Sequence, residues 1–227
     1  MSGVRFGKVD TSVKYENVVI VAGGPSAKAI DMSKLKWLDD SFIIAVNGSG
    51  SHVLFADAWF TLDPWGLHGP QLPKNFEGKL YAAVPQDYGT KFSRIEQHKT
   101  PPTADITYLH RLISHNLTSV SSTTAYVLGL SEDSRCISTG NSGYGALNFA
   151  YHMRPERIFI LGLDGTIGYW YSTTEKNREL LFLPQMFDSA KEQLDSEGIS
   201  VYNVNPVSQI NTFEKIDAKS MFRMIDV

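Results

Sequence analysis

The feature that most constrains the fold is a series of short, almost uninterrupted apolar runs, each stopped by a turn of small polar residues. In "NVVIVAGGPSAKAID" (17–31) a β-branched run ends abruptly at Gly23-Gly24-Pro25-Ser26. "FIIAV" (42–46), "AWFTL" (58–62) and "RIFILGL" (157–163) behave alike, and 79–84, 106–109 and 201–204 are weaker examples. A strand with one wet face alternates apolar and polar residues, whereas a continuous run needs cover on both faces. Amphipathic stretches lie between the runs: 26–38 reads as a helix or helical turn, and 141–154 and 175–197 as helices, the last with Pro184 as a candidate break point. The pattern predicts an α/β fold of the doubly wound type, a mostly parallel sheet with helices on both faces.

The chain has 227 residues, 42% hydrophobic and 20% charged, with no repeat and no low-complexity tract. That composition suits a single globular domain over 1–227. The stretch 85–134 is irregular and rich in Ser, Thr and His, and is expected to be a lid or insertion. A formal net charge of -3 disfavours a general nucleic-acid face. The one cysteine, Cys136, leaves no internal disulfide and no cysteine metal cluster. No run reaches the ~20 apolar residues of a membrane span, and the first residues lack a signal-peptide core. The expectation is a soluble cytoplasmic protein, a chain that a virus or mobile element could equally encode; a homo-oligomer is compatible with it.

In a parallel sheet the turns "GGPS", "NGSG" (47–50), "DPWG" (63–66) and "DGT" (164–166) all fall at the carboxyl edge, where open α/β folds bind ligands. Gly23 and Gly24 would let backbone amides approach a ligand, Pro25 suits a first helical position and Ser26 adds a hydroxyl. Such a helix start favours phosphate, although a plain strand-to-helix corner would look the same. It is neither Gly-x-Gly-x-x-Gly nor a P-loop. In "CISTGNSGYGALNFA" (136–150), Ser138, Thr139, Gly140 and Asn141 crowd another helix start, readable as an anion site or as ordinary N-capping. Asp63 and Asp164 follow strands, where a carboxylate binds a ribose hydroxyl, holds Mg²⁺ or acts as a base; turn chemistry alone also favours Asp there. Of six histidines none shows metal-ligand spacing, so no metal site is expected. His68 lies nearest the site in sequence, and His152 reads as structural.

In order and spacing, "GGPSAKAID", "AVNGS", "TLDP" and "ISTGNSGYGALNFAYHMRPERIFILGLDG" resemble the bacterial sialyltransferase family. They equally resemble the MptE-like family, with its pterin diphosphokinase and motility-accessory glycosyltransferases. The tail "VYNVNPVSQINTFEKI" (201–216) is similar to the end of MptE-like proteins. The resemblance implies a Rossmann-like fold with Gly24, Pro25 and Ser26 under nucleotide phosphates. It also implies Asn47 on the nucleotide or donor sugar, Ser138, Thr139 and Gly140 lining the donor site, and Asp164 closing it. Tyr169 and Tyr171 would take the place of the tyrosines that bind the leaving phosphate. Sialyltransferases draw a histidine base from the segment after Gly-x-Asp, and 165–194 contains none. Asp63, His68 or a residue of 85–134 would have to serve. The implied function is nucleotide-dependent transfer, foremost glycosyl transfer from a nucleotide sugar with no required cofactor. The alternatives are Mg²⁺-dependent diphosphoryl transfer from ATP and a non-catalytic nucleotide binder.

Overall fold

The computed structural model describes residues 4–64, 72–94, 96–102, 104–112, 127–138, 140–165 and 183–225. Their strands form one sheet: β1 (Asn17–Val21), β2 (Ser41–Val46), β3 (Ala58–Thr61), β4 (Lys79–Val84), β5 (Ile106–Arg111), β6 (Cys136–Ile137), β7 (Arg157–Leu161), β8 (Ser200–Asn203) and β9 (Glu214–Lys215). The spatial order is β6-β5-β4-β3-β2-β1-β7-β8-β9. Every pairing among them is parallel. From β1 the chain steps outward to β6, returns through helix α1 (Ser142–Met153), and continues on the other side with β7. The strand order therefore reverses between β1 and β7. This is the doubly wound α/β architecture that the apolar runs predict.

Side chains of β1 divide by period two between two cores. Val18 and Ile20 join the cluster built from α1 and from α2 (Leu183–Ser196), including Tyr144, Leu147, Met186 and Phe187. Val19 and Val21 join Leu35 and, from α3 (Ala218–Ile225), Met221 and Ile225. All twelve residues of α1 are buried, because the helix lies against β1, β2 and β3 on one side and α2 on the other. At Gly145 an added Cβ would come within 3.0 Å of the Phe60 ring, so α1 lies close on β3 there.

Local expectations are refined at three points. Residues 26–38, expected as a helix or helical turn, form two 3₁₀ turns, Pro25–Ala29 and Met32–Trp37. Ile30 is extended (φ -98°, ψ 130°), and the Asp31 carboxylate accepts from the Ser33 amide (3.1 Å), starting a new turn where a helix would have continued. From Leu183 on, the helix expected over 175–197 is present as α2, with Pro184 as its second described residue. The 175–182 part of that expected helix lies outside the described residues. Within 85–134, the strand expected over 106–109 runs on to Arg111 and belongs to the main sheet, paired with β4 and β6. No described helix is long and apolar enough to cross a membrane.

Candidate functional site

The two strands at the reversal point are tied together just beyond their carboxyl ends. The Gly24 amide donates to the Gly162 carbonyl (3.0 Å) and the Ala22 amide to that of Leu161 (2.9 Å). A Cβ on Gly24 would lie 2.4 Å from the Gly162 oxygen and 2.8 Å from the Asp164 carboxyl, so no larger residue fits. Gly162 itself has φ +72°, and a Cβ added there would lie 2.9 Å from both the Ala22 carbonyl oxygen and the Gly24 nitrogen.

Across this seam Asp164, 6% exposed, collects three donors. Its Oδ2 accepts from the Ser26 amide (2.8 Å), and its Oδ1 accepts from the Ser26 hydroxyl and from Asn205 Nδ2 (2.9 Å). The loop after β8 completes the clamp: Ser208 Oγ donates to the Leu163 carbonyl (2.6 Å), and the Gln209 amide to that of Asp164 (2.9 Å). The amides of Gly24, Ser26 and Ala27 are all engaged within the protein. A five-residue 3₁₀ turn with those amides engaged lacks the free donors and the dipole of an α-helical phosphate cradle. Gly23, Gly24, Pro25 and Ser26 do stand beside Asp164 at the reversal point.

The ends of β2, β3 and β5 hold a second group. Asn47, at φ +54°, accepts on its backbone carbonyl from Trp59 Nε1 (2.8 Å). Its side-chain Oδ1 accepts from Thr61 Oγ1 (2.8 Å). The same Thr61 oxygen accepts from the Asp63 amide (3.0 Å), so one hydroxyl sets both Asn47 and the start of the Asp63 turn. Asn47 Nδ2 makes no hydrogen bond among the described residues. Ser49 Oγ donates to the Ala22 carbonyl (3.1 Å), which joins this group to the β1 seam.

Arg111, the last residue of β5, faces Asp63 with its Nη1 4.0 Å from Oδ1. Its side chain is 16% exposed and that of Asp63 42%. Burial pulls the guanidinium below its ordinary value, and the Asp63 charge only partly offsets this. A separation of 4.0 Å is too long for a charge-assisted hydrogen bond. Among the described residues Arg111 is therefore a cation with incomplete compensation at the carboxyl edge of the sheet. The sequence reading missed it by ending this strand at 109.

The third expected group lies after β6. Ser138 is buried, and its amide donates to Asn148 Oδ1 (2.8 Å). Asn141 caps α1, its Oδ1 accepting from the Gly143 amide (2.7 Å). Gly140 has φ +144° and leads into that cap. Thr139, His68, Tyr169 and Tyr171 lie outside the described residues. Among the described residues no group of three or more His, Cys, Asp or Glu side chains is placed to hold a metal ion.

No protein-family profile matches the sequence, and no curated protein matches it. Among solved structures, the fold is similar to that of a MAf glycosyltransferase from Magnetospirillum magneticum AMB-1. The TM-score is 0.53 at 14% sequence identity, and the likeness covers 97% of this chain and 37% of that one. The chain thus spans well under half of that enzyme, and the likeness is one of fold.

Proposed function

We propose that the chain is a nucleotide-dependent transferase, a glycosyltransferase that uses a nucleotide-sugar donor at the carboxyl edge of the sheet. The observation that carries the reading is Arg111: a largely buried guanidinium that has, among the described residues, a single carboxylate at 4.0 Å and the unspent amide of Asn47 at the same edge. A buried charge without full pairing is costly, and an anionic ligand supplies the missing partner. Guanidinium geometry suits phosphate oxygens, so Arg111 would hold the donor diphosphate and Asn47 Nδ2 would donate to the nucleotide or the sugar. The likeness to a glycosyltransferase fold supports the same class of reaction.

In this reading the acceptor oxygen attacks the anomeric carbon as the bond to the diphosphate breaks. The bonding electrons leave with the phosphate oxygen, whose growing charge Arg111 stabilises. Asp63, more open than its partner, takes the proton from the acceptor; His68 is the second candidate for that role. Ser26 and Asp164 act by fixing the floor of the site rather than by touching the reacting atoms. Diphosphoryl transfer through Mg²⁺ between Asp63 and Asp164 has less support, because both Asp164 oxygens already accept from Ser26 and Asn205.

The test is a thermal-shift series with CMP, UDP, GDP and ATP, each with and without Mg²⁺, followed by donor hydrolysis assays on nucleotide sugars of whichever base binds. A nucleotide at 100 times its Kd should stabilise the wild type by about 2.7 kcal/mol. Arg111→Gln should lose that stabilisation while keeping the ligand-free melting temperature. If no nucleotide stabilises the protein, the reading fails. Binding without turnover of any donor leaves a nucleotide-binding protein and removes the transferase.

A further inference from the structure

At the opposite, amino edge of the sheet a cleft of about 500 Å³ opens around the starts of β2, β3 and β4. Its wall combines the rings of Tyr15, Phe42, Phe55 and Tyr81 with the carboxylates of Asp57 and Glu77. Tyr15 and Phe42 pack with ring centroids 5.2 Å apart, and Tyr81 meets Phe149, which also lines the cleft, at 4.8 Å. Tyr15, Phe42, Tyr81 and Phe149 are thus held by one core, and Phe55 packs on the other.

The charges in this cleft do not cancel. Asp10 is neutralised by Lys79 at 2.7 Å. Among the described residues Asp57 and Glu77 have no such partner, which leaves two negative charges in excess. Asp57 is fixed by the Ile43 amide, which donates to its Oδ2 (2.8 Å). Burial pushes the Asp57 carboxyl above its ordinary range, opposed only by hydrogen bonds from the amides of Ile43 and Asp57 itself. Tyr15 and Asp57 both line the cleft, and the Tyr15 hydroxyl is raised by burial and next by the charge of Asp57.

Aromatic faces attract cations through their quadrupole, and fixed carboxylates add a directional charge. Anions are repelled by the same wall. We propose that this cleft binds a small alkylammonium cation, with Asp57 and Glu77 facing its charge and the rings of Tyr15, Phe42 and Phe55 against its alkyl groups. The volume admits a choline-sized ion. The proposal does not rest on the transferase reading, because the cleft lies at the other edge of the sheet.

The experiment is calorimetric titration of the whole chain with choline, and with 3,3-dimethylbutan-1-ol, which has the same shape and no charge. Choline should bind saturably and the alcohol about tenfold more weakly or less. Asp57→Asn and Glu77→Gln should each weaken choline by about threefold or more. Glu77 is exposed, so its variant serves even if Asp57→Asn fails to fold. A trimethyllysine peptide forms the third arm: tighter binding than choline assigns the ammonium to a protein partner, and equal or weaker binding assigns it to a free small molecule. The proposal is overturned if neither ammonium probe saturates, if choline and the alcohol bind equally, or if the folded variants bind choline as the wild type does.

Discussion

Asp164 and Arg111 are oppositely placed charges at one edge of the sheet, and their surroundings give them different work. Asp164 takes three donors from two loops, so removing its carboxylate strands the Ser26 amide, the Ser26 hydroxyl and Asn205 together. Asp164→Ala should lower the unfolding free energy by about 3 kcal/mol, read as a fall in the urea midpoint at unchanged m-value. A catalytic group with no structural duty would leave that midpoint in place. The Gly-x-Asp motif made Asp164 visible in the sequence. Its partner Asn205 was not, because the pairing joins residues 41 positions apart through the return of β8. Arg111 was hidden for a similar reason: a cation ending a modest apolar run, inside a stretch of mixed Ser, Thr and His, carries no local mark of its burial at the carboxyl edge.

At the scale of elements, the strands were legible wherever burial on both faces forced a continuous apolar run, as in β1, β2, β3 and β7. β6 and β9 were not, since two residues carry no period. The apolar spacing of Ala27, Ile30 and Leu35 suits helix and helical turn alike over 26–38; the Asp31 cap, not the apolar pattern, decides for two 3₁₀ turns. The short α3 covers the face of the sheet opposite α1 and α2, and Met221 is its fully buried residue. Met221→Ala should destabilise the chain by about 3 kcal/mol, measurable by equilibrium denaturation. A change well under 1 kcal/mol would mean that α3 is an appendage rather than the cover of that core.

Over the molecule as a whole, acid sensitivity should arise from histidines that fold neutral. Burial lowers His152 below its ordinary value, against the opposing bond to the Cys136 carbonyl. Burial also lowers His98, with Asp87 opposing and Arg111 assisting. The unfolded chain takes up these protons as pH falls through ~6.5 and the folded chain does not, so stability is full above that value and declines below it. The urea midpoint should fall between pH 7.5 and 5.5, and His152→Gln should flatten that fall; an unchanged slope would remove His152 as a cause. The same all-parallel order has a consequence for synthesis. β1 leaves the ribosome first, and β2 can cover one of its edges within a few tens of residues. Its other edge belongs to β7, which begins 140 residues after β1 does. Until then the nascent chain carries a bare Val-Val-Ile-Val ribbon, a template for unwanted pairing and a stretch for a chaperone to shield.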